Sequence, residues 1–289
     1  MTTSPPAHLI TELGRGSTAV VWSASLTSVV DGLAIGAEVA CKRYFDDAGA
    51  RRCHAREARL ADAVRAEGLL RVHASGEDAE GPWLLMELIP GRNLAEVLAE
   101  EHALAEPLVR SIGRQLAGAL AALHAVGIAH GDLKPENIRL DQDGRSVLVD
   151  FGFAGDSEQA HSERSGTPLY LAPEQISGEA LSPACDVFAL GVLLYELVTG
   201  VHPFVTSPAQ DTAEVFRAIS KSSAPLASTL APTISAFLDH LLAEMQEKDA
   251  SHRPTSAEIR TRLLDGEAGS WWREESDRGE WGTGTAHAS

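Results

Sequence analysis

The chain has 289 residues, 44% hydrophobic and 22% charged, enough for two domains or for one domain of two lobes around a large core. Twenty-four lysines and arginines against 41 acids give a formal net charge of −17, which argues against a general nucleic-acid binder and against a polybasic membrane anchor. No apolar run reaches the ~18 residues that a membrane span needs, and the longest, Val187 to Val198, is broken by Glu196. The opening Met-Thr-Thr-Ser-Pro-Pro has neither a basic region nor an apolar signal core. Cys41, Cys53 and Cys185 are odd in number and widely spaced, so neither a disulfide framework nor a zinc site is expected, and a reducing cytoplasm fits.

In chain order, Thr18 to Ser25 and Glu38 to Phe45 read as strands, with Gly14, Gly16, Gly32 and Gly36 as punctuation. Alternating Arg, Glu and Ala from Ala50 to Glu67 predict a helix. Leu69 to Ala74 and Trp83 to Leu88 are the next strands. After Ile89-Pro90-Gly91 the spacing turns helical, over Asn93 to Glu101, Val109 to Val126, Val187 to Thr199, Ile234 to Glu247 and Ser256 to Leu264. A strand-rich lobe (1–90) thus precedes a larger helical one (91–264), an α+β arrangement. Residues 265–289 carry six acids against Arg273 and Arg278, the composition of a flexible tail. That tail also holds Trp271, Trp272 and Trp281, three of the five tryptophans. Two readings of it stand: a disordered end, or a docking element anchored by Trp271 and Trp272 on the helical lobe or a partner.

Four segments can carry chemistry. In Gly14-Arg15-Gly16-Ser17-Thr18-Ala19-Val20-Val21, glycines at a strand turn let backbone N–H groups approach phosphate oxygens. Alone, such a hairpin is more often just a turn, and it is neither a P-loop nor a Rossmann turn. In Val39-Ala40-Cys41-Lys42 the lysine reads first as a solvated edge charge; drawn inward, it would need a carboxylate such as Glu57 and an anionic ligand. Asp132, Lys134 and Asn137 crowd into six residues with Pro135, hence a loop, offering a proton acceptor, a cation and a hard amide oxygen. Val147-Leu148-Val149 is an apolar strand that delivers Asp150 to the turn Phe151-Gly152.

In this order the elements resemble the signature set of protein kinases: glycine loop, strand lysine, helix glutamate, H-x-D-x-K-x-x-N and D-F-G. The resemblance continues through Gly166-Thr167-Pro168-Leu169-Tyr170-Leu171-Ala172-Pro173-Glu174, Asp186 and Arg253, over about residues 9 to 264. Lys134 and the Ala-Pro-Glu-Gln run are similar to eukaryotic-like (Hanks-type) serine/threonine kinases, particularly those of bacteria. The resemblance implies a two-lobed protein-kinase-like fold, with a small antiparallel-sheet N-lobe carrying one main helix and a larger, mainly helical C-lobe. It implies ATP and Mg²⁺ (or Mn²⁺) as cofactors and protein Ser/Thr hydroxyls as acceptors. Leu13, Gly14, Gly16 and Val21 would cover the nucleotide, and Val21 and Ala40 would sandwich adenine. Met86 would be the gatekeeper, Glu87 and Leu88 the hinge, and Asn93 a ribose contact. Lys42, held by Glu57, would contact the α- and β-phosphates. Asn137 and Asp150 would hold the metal, and Asp132 would take the substrate proton, assisted by Lys134 and Thr167. Asp186 would bind the catalytic-loop backbone and Glu174 would pair with Arg253.

Two departures bear on function. Ala19 stands at the third loop glycine, tolerable where φ is negative. Gly131 stands where most family members place an arginine before the catalytic aspartate, and neither Cys53 nor Gly155 supplies the missing cation. The expectation is activity that does not depend on activation-loop phosphorylation at Ser157, Ser162 or Ser165. The net charge points to basic protein substrates. The alternative is a nucleotide-binding pseudokinase that acts as a scaffold. A small-molecule kinase is disfavoured by the Gly-Thr-Pro to Ala-Pro-Glu stretch, which resembles a peptide-docking segment.

Overall fold

The computed structural model describes residues 4–150, 169–207 and 209–264. Its first lobe is an antiparallel sheet of β1 (Ala7–Arg15), β2 (Ala19–Leu26), β3 (Glu38–Tyr44), β4 (Val72–Asp78) and β5 (Gly81–Met86), with one helix, α1 (Ala48–Ala63), between β3 and β4. The spatial order is β1-β2-β3-β5-β4, so β3 is interior and pairs on both sides, Lys42 opposite Val21 and Leu84. Strand alternation sends Val39 and Cys41 to one face, where they cluster with Ala24, Trp83 and Leu85. Ala40, Lys42 and Tyr44 face the other side; Tyr44 packs there with Ala50 and Cys53 of α1. The Asp47 carboxylate caps α1 by accepting from the Ala50 N–H at 2.9 Å.

The expected elements shift where long-range bonds claim their ends. The helix placed at Ala50–Glu67 stops at Ala63, because Val64 turns to extended backbone. The strand placed at Leu69–Ala74 starts instead at Val72. Leu148 N–H donates to the Gly68 carbonyl at 2.9 Å and Leu70 N–H to the Leu148 carbonyl at 3.0 Å, so those residues are stitched to the second lobe. The strand placed at Trp83–Leu88 runs over Gly81–Met86. Strand β1 was not singled out in the sequence; it is an edge strand, exposed along nearly its whole length, and carries no apolar alternation.

The second lobe opens with β6 (Arg92–Asn93), α2 (Leu94–Glu101) and α3 (Glu106–Ala125), followed by a 3₁₀ turn at Pro135–Asn137 and strands β7 (Ile138–Leu140) and β8 (Ser146–Leu148). Helices α4 (Pro173–Ile176), α5 (Pro183–Thr199), α6 (Thr212–Lys221), α7 (Ala236–Met245) and α8 (Ser256–Leu264) complete it. Helix α5 is apolar on every side and buried from Cys185 to Tyr195, so it is the post around which α3 and α7 pack. Gly113 of α3 is required there: a Cβ would lie 2.8 Å from Leu194 and 3.1 Å from Leu263. Helix α6 is missing from the sequence reading because it buries only Val215 and Ile219. Its reciprocal cap between Asp211 and Glu214 was the available signal. Among the described residues no helix is long and apolar enough to cross a membrane. The three cysteines are free and buried, and burial pushes the Cys41 thiol up to about 11 and the Cys185 thiol up to about 12.

Candidate active site

The interior position of β3 brings Lys42 to the cleft between the lobes. Its Nζ donates to Glu57 Oε1 at 2.7 Å and to Asp150 Oδ1 at 3.3 Å, joining residues from β3, α1 and the segment that follows β8. Lys42 and Glu57 side chains are 10% and 4% exposed, while Asp150 is 40% exposed and faces the cleft. Burial opposes the Lys42 charge, but Asp150 and Glu57 outweigh it and hold the ammonium above its ordinary pKa. Burial drives the Glu57 carboxyl up to about 7 against the pull of Lys42. The edge-charge reading of Lys42 therefore gives way to an inward ammonium between two carboxylates.

Asp132 and Lys134 lie between α3 and the 3₁₀ turn. Lys134 Nζ donates to Asp132 Oδ2 at 2.8 Å, and Asn137 Nδ2 donates to Asp132 Oδ2 at 3.0 Å and to its carbonyl at 2.9 Å. These bonds fix the carboxylate and turn the Asn137 amide oxygen away from it. Val149 N–H donates to the Asn137 carbonyl at 2.9 Å, which sets Asp150 beside Asn137. One amide oxygen and one half-exposed carboxylate suit Mg²⁺, which takes few protein ligands and completes its shell with phosphate and water oxygens. The donor set fits the expected cofactor. Among the described residues no group of three or more His, Cys, Asp or Glu is disposed to hold a metal without a substrate.

The catalytic-loop backbone is held from below. Buried Asp186 on α5 accepts from His130 N–H at 2.7 Å and from Gly131 N–H at 2.8 Å. Three contacts of this frame escaped the sequence reading. His124 Nε2 reaches Asp186 at 2.8 Å and its Nδ1 reaches Ser256 Oγ at 2.9 Å. Gln175 Nε2 donates to the Gly131 carbonyl at 3.3 Å. His130 accepts from Asp132 N–H at Nδ1, 3.3 Å, which leaves its Nε2–H to donate to the Asp150 carbonyl at 2.5 Å. Tertiary packing joins His124 to Asp186 and Ser256, Gln175 to Gly131 and His130 to Asp150, while the His130–Asp132 bond is local.

Gly131 has φ +76, and a Cβ there would lie 2.9 Å from Leu181. An arginine at this position would be strained by the positive φ and would need the end of the Leu181 side chain to shift. Cys53 is buried against Ala19, Tyr44 and Leu84. Among the described non-glycine residues only Asp31 and His102 have positive φ, so Ala19 sits without strain. Gly14 and Gly16 are also outside the left-handed region; a Cβ at Gly14 would meet nothing within 4 Å and one at Gly16 only the Ala19 carbonyl oxygen at 3.8 Å, room for a ligand to approach the backbone. Leu13 is exposed above them. Ala40 and Met86 are buried and Val21 is half-buried, all packed in the main core. Glu87 pairs with Arg145 at 2.7 Å, and its N–H donates to the Arg71 carbonyl at 2.8 Å; Leu88 packs against the core. Asn93 Oδ1 caps α2, accepting from Glu96 N–H at 2.8 Å, a task the ribose assignment did not foresee. Thr167, Gly155, the three serines and the tail tryptophans lie outside the described residues.

Glu174 and Arg253 form a buried bidentate pair, 2.6 and 2.9 Å, with Arg253 also donating to the carbonyls of Ala184, Glu247 and Lys248. His202 pins Leu169, where the described chain resumes. Phe204 N–H donates to its Nδ1 at 3.2 Å, so its Nε2–H donates to the Leu169 carbonyl at 3.1 Å. Burial pulls the imidazole pKa down to about 4. An unfolded histidine titrates near 6.5, so between pH 6.5 and 4 the unfolded chain binds the extra proton. The stabilisation is present above pH 6.5 and is lost as pH falls, on the order of 3 kcal/mol. His202→Gln, which keeps a donor for Leu169, is expected to shrink the stability difference between pH 7 and pH 4.5 by ~2 kcal/mol in denaturant melts; an unchanged difference would contradict this.

The model of the protein kinase domain matches residues 7–263. The chain is 35% identical to the serine/threonine-protein kinase PknL of Mycobacterium tuberculosis over 205 residues, 70% of this chain and 51% of PknL. It is 32% identical to the probable serine/threonine-protein kinase PkwA of Thermomonospora curvata over 271 residues, 92% of this chain and 35% of that protein. The human hormonally up-regulated neu tumor-associated kinase is 33% identical over 204 residues, 69% of this chain and 28% of its own. The chain therefore spans about half the length of PknL and less of the other two.

Proposed function

The chain belongs to the protein kinase domain family, and on that premise we propose that it transfers the γ-phosphoryl group of Mg-ATP to serine and threonine hydroxyls of proteins. The observation that carries this reading is the convergence of Lys42, Glu57 and Asp150 on one side of the cleft with the Lys134–Asp132–Asn137 cluster on the other. Phosphoryl transfer through a loose transition state asks for positioning and charge neutralisation more than for covalent chemistry. Lys42 binds and orients the nucleotide phosphates, with Glu57 fixing its direction. Asp132, held by Lys134 and Asn137, orients the acceptor hydroxyl and takes its proton, and Lys134 remains to balance charge on the transferring group. Thr167 joins this set from the resemblance. Mg²⁺, or Mn²⁺, held by Asn137 and Asp150 would neutralise phosphate charge. Val21, Ala40, Met86, Glu87 and Leu88 enclose the base. The pseudokinase alternative has less support, since each residue that the transfer needs is present.

Basic protein substrates are the preferred class in this reading. Beside the net charge, Glu136 projects from the catalytic loop near the pair of Tyr170 and Glu196, where the Tyr170 hydroxyl donates to Glu196. Burial raises the Glu196 pKa, the Tyr170 bond opposes this, and the Glu136 charge raises it further, so a cation from substrate would relieve two carboxylates. Incubation with Mg-ATP and an arginine-rich or an acidic test protein decides it. Phosphoserine or phosphothreonine confined to the basic protein supports the reading; transfer to the acidic protein alone contradicts it.

Independence from activation-loop phosphorylation belongs to the same proposal. It is supported by Gly131, whose positive φ and nearby Leu181 side chain disfavour a phosphate-binding arginine, and by the buried thiol at Cys53. Alanine at Ser157, Ser162 and Ser165 together is expected to leave the rate within about twofold of wild type. A tenfold loss, about 1.4 kcal/mol, would overturn it. The three free thiols suit a reducing cytoplasm.

A further inference from the structure

Helix α8 runs antiparallel along α3, far from the cleft. Ser256 at its start meets His124 at 2.9 Å. A Cβ on Gly118 would lie 3.4 Å from the Arg260 stem, and one on Gly113 would lie 3.1 Å from Leu263. Toward α7, Arg262 donates to Glu244 at 2.5 Å. The helix thus fills the seam between α3 and α7 and ends at Leu264, which is exposed. The seam itself continues. One turn back from Gly113 along α3, Arg110 lies over the ring of Phe237 of α7 at 4.9 Å. One turn further, Glu106 accepts from the Ser235 N–H and hydroxyl at 2.6 and 2.5 Å.

The uncommitted charge in this stretch is positive. Glu106 is engaged by Ser235 and Glu244 by Arg262. The half-buried Arg110 guanidinium has Glu106 at 3.7 Å, too far for a hydrogen bond, and its buried Nε has no partner. A guanidinium over a ring keeps its charge and leaves most of its five donors unused. Arg114, one turn on along the same face of α3, and Arg260 have neither hydrogen bond nor ion pair among the described residues. Phe237 packs on the main core but stays half-buried beside Arg110.

The chain that leaves α8 matches this stretch in sign and in kind. Residues 265–272 read Asp-Gly-Glu-Ala-Gly-Ser-Trp-Trp, two acids with no cation and then two large aromatics. Gly113 and Glu106 are about 10 Å apart along α3, and eight residues span ~12 Å as a helix and more when extended, so the segment can reach. We propose that residues 265–272 dock in the seam past the end of α8, with Asp265 and Glu267 on Arg110 and Arg114 and with Trp271 and Trp272 over Phe237. Carboxylates meet arginine forks in short, charge-assisted bonds, and large aromatics are efficient anchors on a half-buried ring. The occupant is the chain's own tail because tethering presents it at high effective concentration, which so short a contact needs.

The test is amide hydrogen exchange of the full chain, read by mass spectrometry on the peptide that covers residues 265–272. In the wild type these amides are expected to exchange at least tenfold more slowly than in the same peptide made synthetically. Arg110→Glu with Arg114→Glu is expected to cut that protection at least fivefold, and adding Asp265→Arg with Glu267→Arg to restore it to within twofold. If the α3 variant does not fold, Asp265→Arg with Glu267→Arg alone decides, since it changes no residue of α3 or α7. A fivefold loss of protection then supports the docking, and any smaller loss overturns it. Wild-type exchange as fast as in the free peptide overturns the proposal. Protection that survives the charge reversal on α3 overturns it too, because the tail then lies elsewhere. So does protection that falls on tenfold dilution, which would seat the tail on a second copy of the chain.

Discussion

Lys42→Met is expected to lower kcat/KM by about 10³ or more while the protein stays folded. The ammonium sits 2.7 Å from Glu57 and 3.3 Å from Asp150, and both carboxylates raise its pKa against burial. It is therefore a fixed charge aimed at the place where phosphate oxygens would lie. Single pre-organised donors at developing charge contribute on the order of 10² to 10³ in rate, and cationic groups on a transferring phosphoryl group contribute more. Folding survives because the Glu57 carboxyl, already driven up to about 7, takes a proton once its partner is gone, and methionine refills the volume of the stem. Initial rates with a thermal melt on the same sample check it; a loss under tenfold in a folded variant would remove Lys42 from the phosphate site.

Arg253→Ala is expected to be the most damaging substitution far from the cleft, at about 3 to 5 kcal/mol. Burial pushes the Glu174 pKa up, and the Arg253 bonds more than offset this, holding the carboxyl below its usual range. Without Arg253 the burial cost of Glu174 is uncompensated. The carbonyls of Ala184, Glu247 and Lys248 lose a donor at the same time. At a few degrees per kcal/mol for a protein of this size, the melting temperature should fall by roughly 10 °C. Adding Glu174→Gln should cost less than the sum of the two single changes, because the unpaired charge is then absent. Strict additivity of the two would contradict the buried-pair account.

The sequence makes local features legible and leaves their closure to tertiary packing. Helix α5 is readable because an apolar run with one glutamate has no fate except burial. The Asp132–Lys134–Asn137 cluster is readable because it is packed into six residues around a proline. The direction of Lys42 is not readable from its own strand, since the same four residues suit an edge or an interior position. It follows from β3 lying between β2 and β5. The α1 end and the β4 start were misplaced for a related reason, as Gly68 and Leu70 bond to Leu148, 80 and 78 positions away along the chain. Leu181 against Gly131 and Arg139 on the hinge carbonyls are invisible in one dimension, because each joins segments about 50 residues apart.

The central claim is that Asp132 is the proton acceptor of a phosphoryl transfer, and Asp132→Asn tests it most directly. The amide preserves the size of the side chain and a carbonyl oxygen to accept from Lys134 or Asn137, but it cannot take the hydroxyl proton. Phosphate incorporation from Mg-ATP into a basic test protein should be measured for wild type and variant, with Mg-ADP affinity determined in parallel. The account predicts transfer to serine or threonine by the wild type, a loss of about 10² or more in the variant, and unchanged Mg-ADP affinity. Equal transfer by both proteins, or none by a folded, nucleotide-binding wild type, would contradict it.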